Sequence, residues 1–202
     1  MSKLSGIRVV DLSLFLPGPM MTSMLADHGA EIIKIEPPGG DPARQMEPFE
    51  EGQSVWFRNI NRGKQSVVLD LKQKDNLQKL YRLVEESDIF VEAFRPGVAN
   101  RLEIDYETLS AINPRIIYCS ISAFGQDGPL AHHPAHDLAV EAFAGFMSVN
   151  DKGDGEPVVP AFPAADASAS LVALSGILMA LIGQERTGIG DYLDIAMYDS
   201  LL

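Results

Sequence analysis

Along the first 120 or so residues, short β-branched runs alternate with longer segments whose apolar positions recur at helical spacing. Ile7 to Leu12 reads as a strand, Met20 to His28 as a helix, and Glu31 to Glu36 as a second strand ended by Pro37-Pro38-Gly39-Gly40. A further strand is predicted over Ser66 to Leu71. A polar helix from Asp75 to Ser87 then leads to a strand at Ile89 to Glu92, and a short helix from Tyr106 to Ile112 precedes a strand at Ile116 to Ser122. The alternation predicts an α/β fold, a parallel sheet with helices on both faces. Sites in such sheets lie beyond the carboxyl ends of the strands.

The second half has a different texture. Asp166 opens a long helix of small and apolar residues, and residues 171–182 are apolar all round, which predicts a core helix too short to span a membrane. The last run, Ile195 to Leu202, reads as amphipathic, with neither cap nor breaker, so the chain looks unfinished there.

Composition adds limits rather than a function. With 202 residues, 46% hydrophobic and 22% charged, the chain suits one large domain with a sizeable core. A net charge of -12 without any Lys/Arg run argues against a nucleic-acid partner, and an anionic ligand would need locally clustered cations. The single cysteine, Cys119, falls in an apolar run and is expected to be a buried thiol. No signal peptide and no unbroken membrane-length segment is read, so a cytoplasmic location without membrane contact is the expectation.

Candidate chemistry follows the strand ends. Ser13-Leu14-Phe15-Leu16-Pro17-Gly18-Pro19 places a rigid turn before a helix whose free N–H groups can meet an anion, although it lacks the dinucleotide glycine spacing. Arg62, Lys64, Arg95 and Arg101 flank strands; they form either a shared phosphate pocket or ordinary surface charge. Gly125-Gln126-Asp127-Gly128-Pro129 makes a turn ahead of His136-Asp137. His136 is either a helix cap or buried imidazole, or a proton-transfer group. His132 and His133 lack carboxylate or cysteine partners, so no metal site is expected, and His28 ends a helix. Asp166 is either a helix N-cap or a nucleophile or base, expected to stay ionised at the helix start, with small neighbours leaving room for a thioester.

Gly6 to Ser13, Pro17-Gly18-Pro19, Leu25 to Glu36, Asn61-Arg62-Gly63-Lys64, Leu69 to Lys72, Glu92-Ala93-Phe94-Arg95-Pro96-Gly97, Asn113-Pro114-Arg115, Phe124 to Pro129 and Arg186 to Asp191 together resemble the family III CoA-transferases, also called the CaiB/BaiF family. The ordered set runs from end to end. The resemblance implies a CoA-binding Rossmann-like large domain, with residues 1–202 as its N-terminal portion. It also implies a small domain and a C-terminal return segment outside this chain, and two chains interlocked as a homodimer. Coenzyme A enters as substrate rather than as a bound cofactor, and the partners are an acyl-CoA thioester and, for transfer, a carboxylic acid acceptor.

The segments implied to meet CoA carry Phe15, Leu16, Pro17, Arg62, Lys64, Ala93, Phe94, Arg95 and Arg101, and Asp166 matches the family's catalytic aspartate. In the transferases that aspartate forms an anhydride and then an aspartyl-CoA thioester. In the related α-methylacyl-CoA racemases it shares proton transfer with a histidine. His136-Asp137 after the Gly-Gln-x-Gly-Pro turn resembles the racemase branch, which tilts the expectation toward proton transfer by His136 and Asp166. CoA transfer through Asp166 is the alternative, and a catalytically incomplete CoA-binding fragment is a third. Two positions differ from relatives: Leu138-Ala139-Val140 where racemases have an Asn-Tyr pair, and Pro37 in place of a nucleotide-binding arginine.

Overall fold

The computed structural model describes residues 2–150, 153 and 155–202. Six strands form one sheet: β1 (Arg8–Asp11), β2 (Glu31–Glu36), β3 (Lys64–Val68), β4 (Ile89–Glu92), β5 (Ile117–Ser122) and β6 (Asp191–Ala196). Their spatial order is β3-β2-β1-β4-β5-β6, and every pairing is parallel. Val9 pairs with Ile32 on one side and Ile89 on the other, so the order reverses between β1 and β4. A crevice opens at that reversal, because the connections leaving the two strands go to opposite faces.

The helices are α1 (Pro17–Asp27), α2 (Val55–Ile60), α3 (Lys74–Glu85), α4 (Val98–Arg101), α5 (Tyr106–Ile112), α6 (Asp137–Phe143), α7 (Phe146–Val149), α8 (Ala164–Thr187) and α9 (Met197–Leu201). The strands read as unbroken apolar runs because both faces are covered. Val9, Ile32, Val91 and Cys119 point to one face, where they meet Met21 and Leu25 of α1 and Ala169, Ala173 and Ile177 of α8. The next residues along, Val10, Ile33, Phe90 and Tyr118, point to the other face, against Leu77, Leu80 and Val84 of α3 and Leu109 of α5. At about 1.5–3 kcal/mol for each large side chain buried, these two layers supply most of the driving force.

Several expectations are corrected. α1 starts at Pro17 rather than Met20, since proline is pre-set for the first helical position. β3 begins at Lys64 and ends at Val68 instead of running from Ser66 to Leu71, following its register with Ile32 to Glu36. The run from Ile195 is no single amphipathic segment: Ile195 and Ala196 finish the edge strand β6, and α9 follows. Gly188 ends α8 at φ +73°, and Gly190 lies so close to the sheet that a Cβ there would sit 2.1 Å from the Ile116 carbonyl oxygen, which steers the chain into pairing with β5.

α8 is also longer than expected. Its 24 residues are long and apolar enough to cross a membrane by length and composition alone, yet its alanine-rich side lies in the core. Residues 171–182 are not buried all round: Leu171, Val172, Met179 and Ile182 are exposed in this chain.

Candidate active site

The crevice beyond the ends of β1, β4 and β5 holds a cleft of about 480 Å³. Leu14, Phe15 and Pro17 come from the turn after β1, Ala93, Phe94 and Arg95 from the turn after β4, and Ile121, Ser122 and Ala123 from the end of β5. The loop carrying His132, His133 and His136, the start of α8 with Asp166, and Met197 complete the wall. A smaller apolar slot of about 160 Å³, between Leu12, Ile35, Pro37, Leu69 and Leu102, shares Leu14 and Phe94 with the cleft and so continues it.

Asp166 is the third residue of α8 and does not cap it. That work is done from α6: Asp137 Oδ1 accepts from Asp166 N at 2.9 Å, and Glu141 Oε1 accepts from Ala164 N at 2.8 Å. The four-residue spacing of Asp137 and Glu141 sets both carboxyls on one helix face. Two consequences follow. The N–H groups that would stabilise an anion at the head of α8 are already engaged, and two acidic groups are brought beside Asp166. Burial first, then Asp137 and Glu141, push the Asp166 carboxyl up to about 7. The expectation that a helix start keeps Asp166 fully ionised is therefore corrected. Among the described residues no cation or hydrogen-bond donor holds its carboxyl.

His136 is the N-cap residue of α6 without a side-chain capping bond, and its exposed ring meets Phe15 edge-on with centroids 5.9 Å apart. Phe15 has φ +60°, a left-handed conformation that a bulky residue adopts only at a cost of about 1–2 kcal/mol. Ser122 Oγ is buried with no hydrogen-bond partner among the described residues.

Phe15, Pro17, Ala93, Phe94, Arg95, His136 and Asp166 thus line one cleft, and the remaining candidates do not. Leu16 turns inward and packs with Ala43 and Ile60. The four cations do not form a shared phosphate pocket, since Arg95 alone of them lines the cleft. Lys64 is buried, its Nζ donating to Asp11 Oδ2 (3.1 Å), Pro19 O (2.9 Å) and Asn61 Oδ1 (2.9 Å). Burial alone would raise the Asp11 carboxyl, but Lys64 and Lys34 hold it at about 2, so a nearby carboxylate already takes this ammonium's charge. Arg62 pairs with Asp27 at the surface, its Nε 3.0 Å from Oδ1. Arg101 ends α4, its guanidinium within van der Waals reach of a Cβ built on Gly97.

The Gly125 turn lies aside from the cleft, with Gln126 N donating to Asp194 Oδ2 at 2.8 Å. Small residues around Asp166 serve packing as well as access: Ala165, Ala169 and Ala173 are fully buried in the core layer that α8 shares with α1. Sequence reasoning missed the roles of Asp137 and Glu141, for which their i, i+4 spacing ahead of the catalytic candidate was the available signal. It considered His132 and His133 only as metal ligands. Among the described residues no group of three His, Cys, Asp or Glu side chains is arranged to hold a metal ion.

A parallel sheet in this order, with an acidic group at the head of a long helix facing an apolar-edged crevice, defines an α/β enzyme of group-transfer type. The chain belongs to the CoA-transferase family III, whose model matches residues 4–202. It is 45% identical over 199 residues to the acetyl-CoA:oxalate CoA-transferase of Acetobacter aceti, a match covering 98% of this chain and 51% of that protein. It is 40% identical to the succinate--glutarate CoA-transferase of Agrobacterium fabrum, covering 97% of this chain and 51% of that one. Among solved structures, a CAIB/BAIF family protein from Brucella suis superposes with a TM-score of 0.95 at 36% identity, over 99% of this chain and 54% of that chain. The chain spans about half the length of the relatives it matches. These relatives bear CoA-transferase names and lend no support to the racemase expectation.

Proposed function

We propose that the complete protein transfers coenzyme A from an acyl-CoA to a carboxylic acid, with Asp166 as the nucleophile. One observation carries this reading: the Asp166 carboxyl faces the cleft unpaired, because Asp137 and Glu141 have taken over the capping of α8. A carboxylate relieved of structural duty and poorly solvated is a stronger nucleophile than one held by cations. Its oxygen attacks the thioester carbonyl, the C–S bond breaks, and CoA leaves as thiolate with a mixed anhydride left on Asp166. The thiolate then attacks the Asp166 carbonyl, releasing the donor acid and forming an aspartyl-CoA thioester. The acceptor carboxylate displaces CoA to form a new anhydride, and the thiolate attacks its acyl carbon, giving the new acyl-CoA and free Asp166.

The cleft and its apolar continuation suit a chain with a reactive end and a flat nucleotide end. The relatives' acceptors are dicarboxylic acids, which makes short dicarboxylates the acceptors to try first. The test uses acetyl-CoA or succinyl-CoA with oxalate or glutarate, and hydroxylamine to trap acylated Asp166. Wild-type protein is expected to form both product and hydroxamate. Full turnover by Asp166→Ala refutes the assignment.

The placement of His136 on the same cleft favours a second reading, α-proton exchange in a 2-methylacyl-CoA. Deuterium incorporation without any acceptor acid, abolished by His136→Ala, identifies that chemistry instead.

A further inference from the structure

The turn between β1 and α1 crosses the cleft carrying Phe15, and alternate residues of it are tied down from four different elements or loops. The Ser13 carbonyl accepts from Lys34 Nζ of β2 at 2.6 Å. Phe15 N donates to Asp41 Oδ1 at 3.3 Å. The Pro17 carbonyl lies 2.8 Å from Ser170 Oγ, one turn beyond Asp166 on α8, and the Pro19 carbonyl accepts from Lys64 Nζ. Lys34 and Asp41 pair with each other at 3.0 Å, with their side chains 1% and 0% exposed.

Such a pair is a costly way to close a loop. Desolvating two charges typically offsets their mutual attraction, so apolar side chains would stabilise the same turn as well or better. What an apolar pair lacks is an acceptor for a backbone N–H. Asp41 Oδ1 supplies one to Phe15 N and another to Ala43 N, and Phe15 is the residue held at φ +60° with its ring against His136. A strained conformation persists only where its surroundings over-determine it. Building on the CoA-transfer reading of this cleft, we propose that Lys34 and Asp41 are positioning residues: they hold Phe15 in its left-handed conformation so that its ring seats the acyl thioester against Asp166.

The two oxygens of Asp41 allow stability and positioning to be separated. In Asp41→Asn the amide oxygen can replace Oδ1 and still accept from Phe15 N, while the NH2 group faces Lys34 and leaves it unpaired. In Asp41→Ala both functions are lost. Both variants of the complete protein are expected to melt roughly 5–15 °C lower. Asp41→Ala is expected to lose at least about tenfold in kcat, with KM for acetyl-CoA within about threefold, whereas Asp41→Asn keeps kcat within about threefold of wild type. Equal losses of kcat in the two variants, or wild-type kcat in both, overturn the proposal.

Should neither variant fold, Phe15→Ala removes the seated ring without touching the pair. It is expected to slow hydroxylamine-trapped acylation of Asp166 by at least about tenfold at unchanged Tm, and acylation at the wild-type rate overturns the proposal. Wild-type protein that exchanges no thioester refutes the transfer reading itself, an outcome separate from an active wild type whose variants are equally active.

Discussion

Replacing Asp137 with asparagine tests the electrostatics of the cleft most directly. The amide oxygen keeps the bond now made to Asp166 N, so α8 retains that cap while the charge beside the nucleophile disappears. The Asp166 carboxyl stands at about 7 against an ordinary 3.8, with burial the largest cause, Asp137 second and Glu141 third. A second-ranked share of that rise corresponds to about one pH unit, or about 1.4 kcal/mol. The acid limb of the acylation rate is then expected to move from about 7 in the wild type to about 6 in Asp137→Asn. Removing a negative neighbour favours the ionised form, so the direction is toward lower pH. At pH 6 the wild type has about one Asp166 in ten ionised and the variant about half, which gives roughly fivefold faster acylation there and little change at pH 8. Stopped-flow or quenched single-turnover acylation from pH 5 to 9 measures it. An acid limb that stays in place, or moves upward, refutes the claim that Asp137 perturbs Asp166.

Asp166→Asn is expected to abolish acylation yet stabilise the fold at neutral and higher pH. The folded pKa is raised, so the wild-type contribution is fully present below about 3.8 and is lost as pH rises through about 7, up to about 4 kcal/mol. Urea midpoints at pH 5 and 8 should therefore diverge between the two proteins chiefly at pH 8, and parallel midpoints contradict the burial of that charge. Two glycines should respond oppositely to alanine. Gly190→Ala must push a Cβ to 2.1 Å from the Ile116 carbonyl oxygen and is expected to cost several kcal/mol or prevent folding. Gly183→Ala, with nothing within 4 Å, should add about 0.5–1 kcal/mol to α8. Thermal melts of both variants check the pair.

The sequence by itself determined the layered plan. Unbroken apolar runs such as Ile32 to Ile35 and Ile89 to Val91 are dictated by strands buried on both faces, and that two-sided burial is legible without coordinates. The turn ahead of Pro17 and the head of α8 were legible too, because proline and small residues fix local geometry. β6 was not legible. Its pairing depends on Gly190 meeting the backbone of Ile116, a contact between residues far apart in the chain.

The same division runs through the cleft. Asp166 and His136 announced themselves by residue type and setting, but their electrostatics did not. Whether Asp166 is ionised depends on which groups reach it, and only the packing of α6 across the head of α8 brought Asp137 and Glu141 there. Lys64 looked like a phosphate ligand for the same reason that it proved to be a buried partner of Asp11. A lysine beside a strand advertises a charge, and tertiary structure chooses its counter-ion, because Coulomb energies depend on distances and burial that one-dimensional order does not contain.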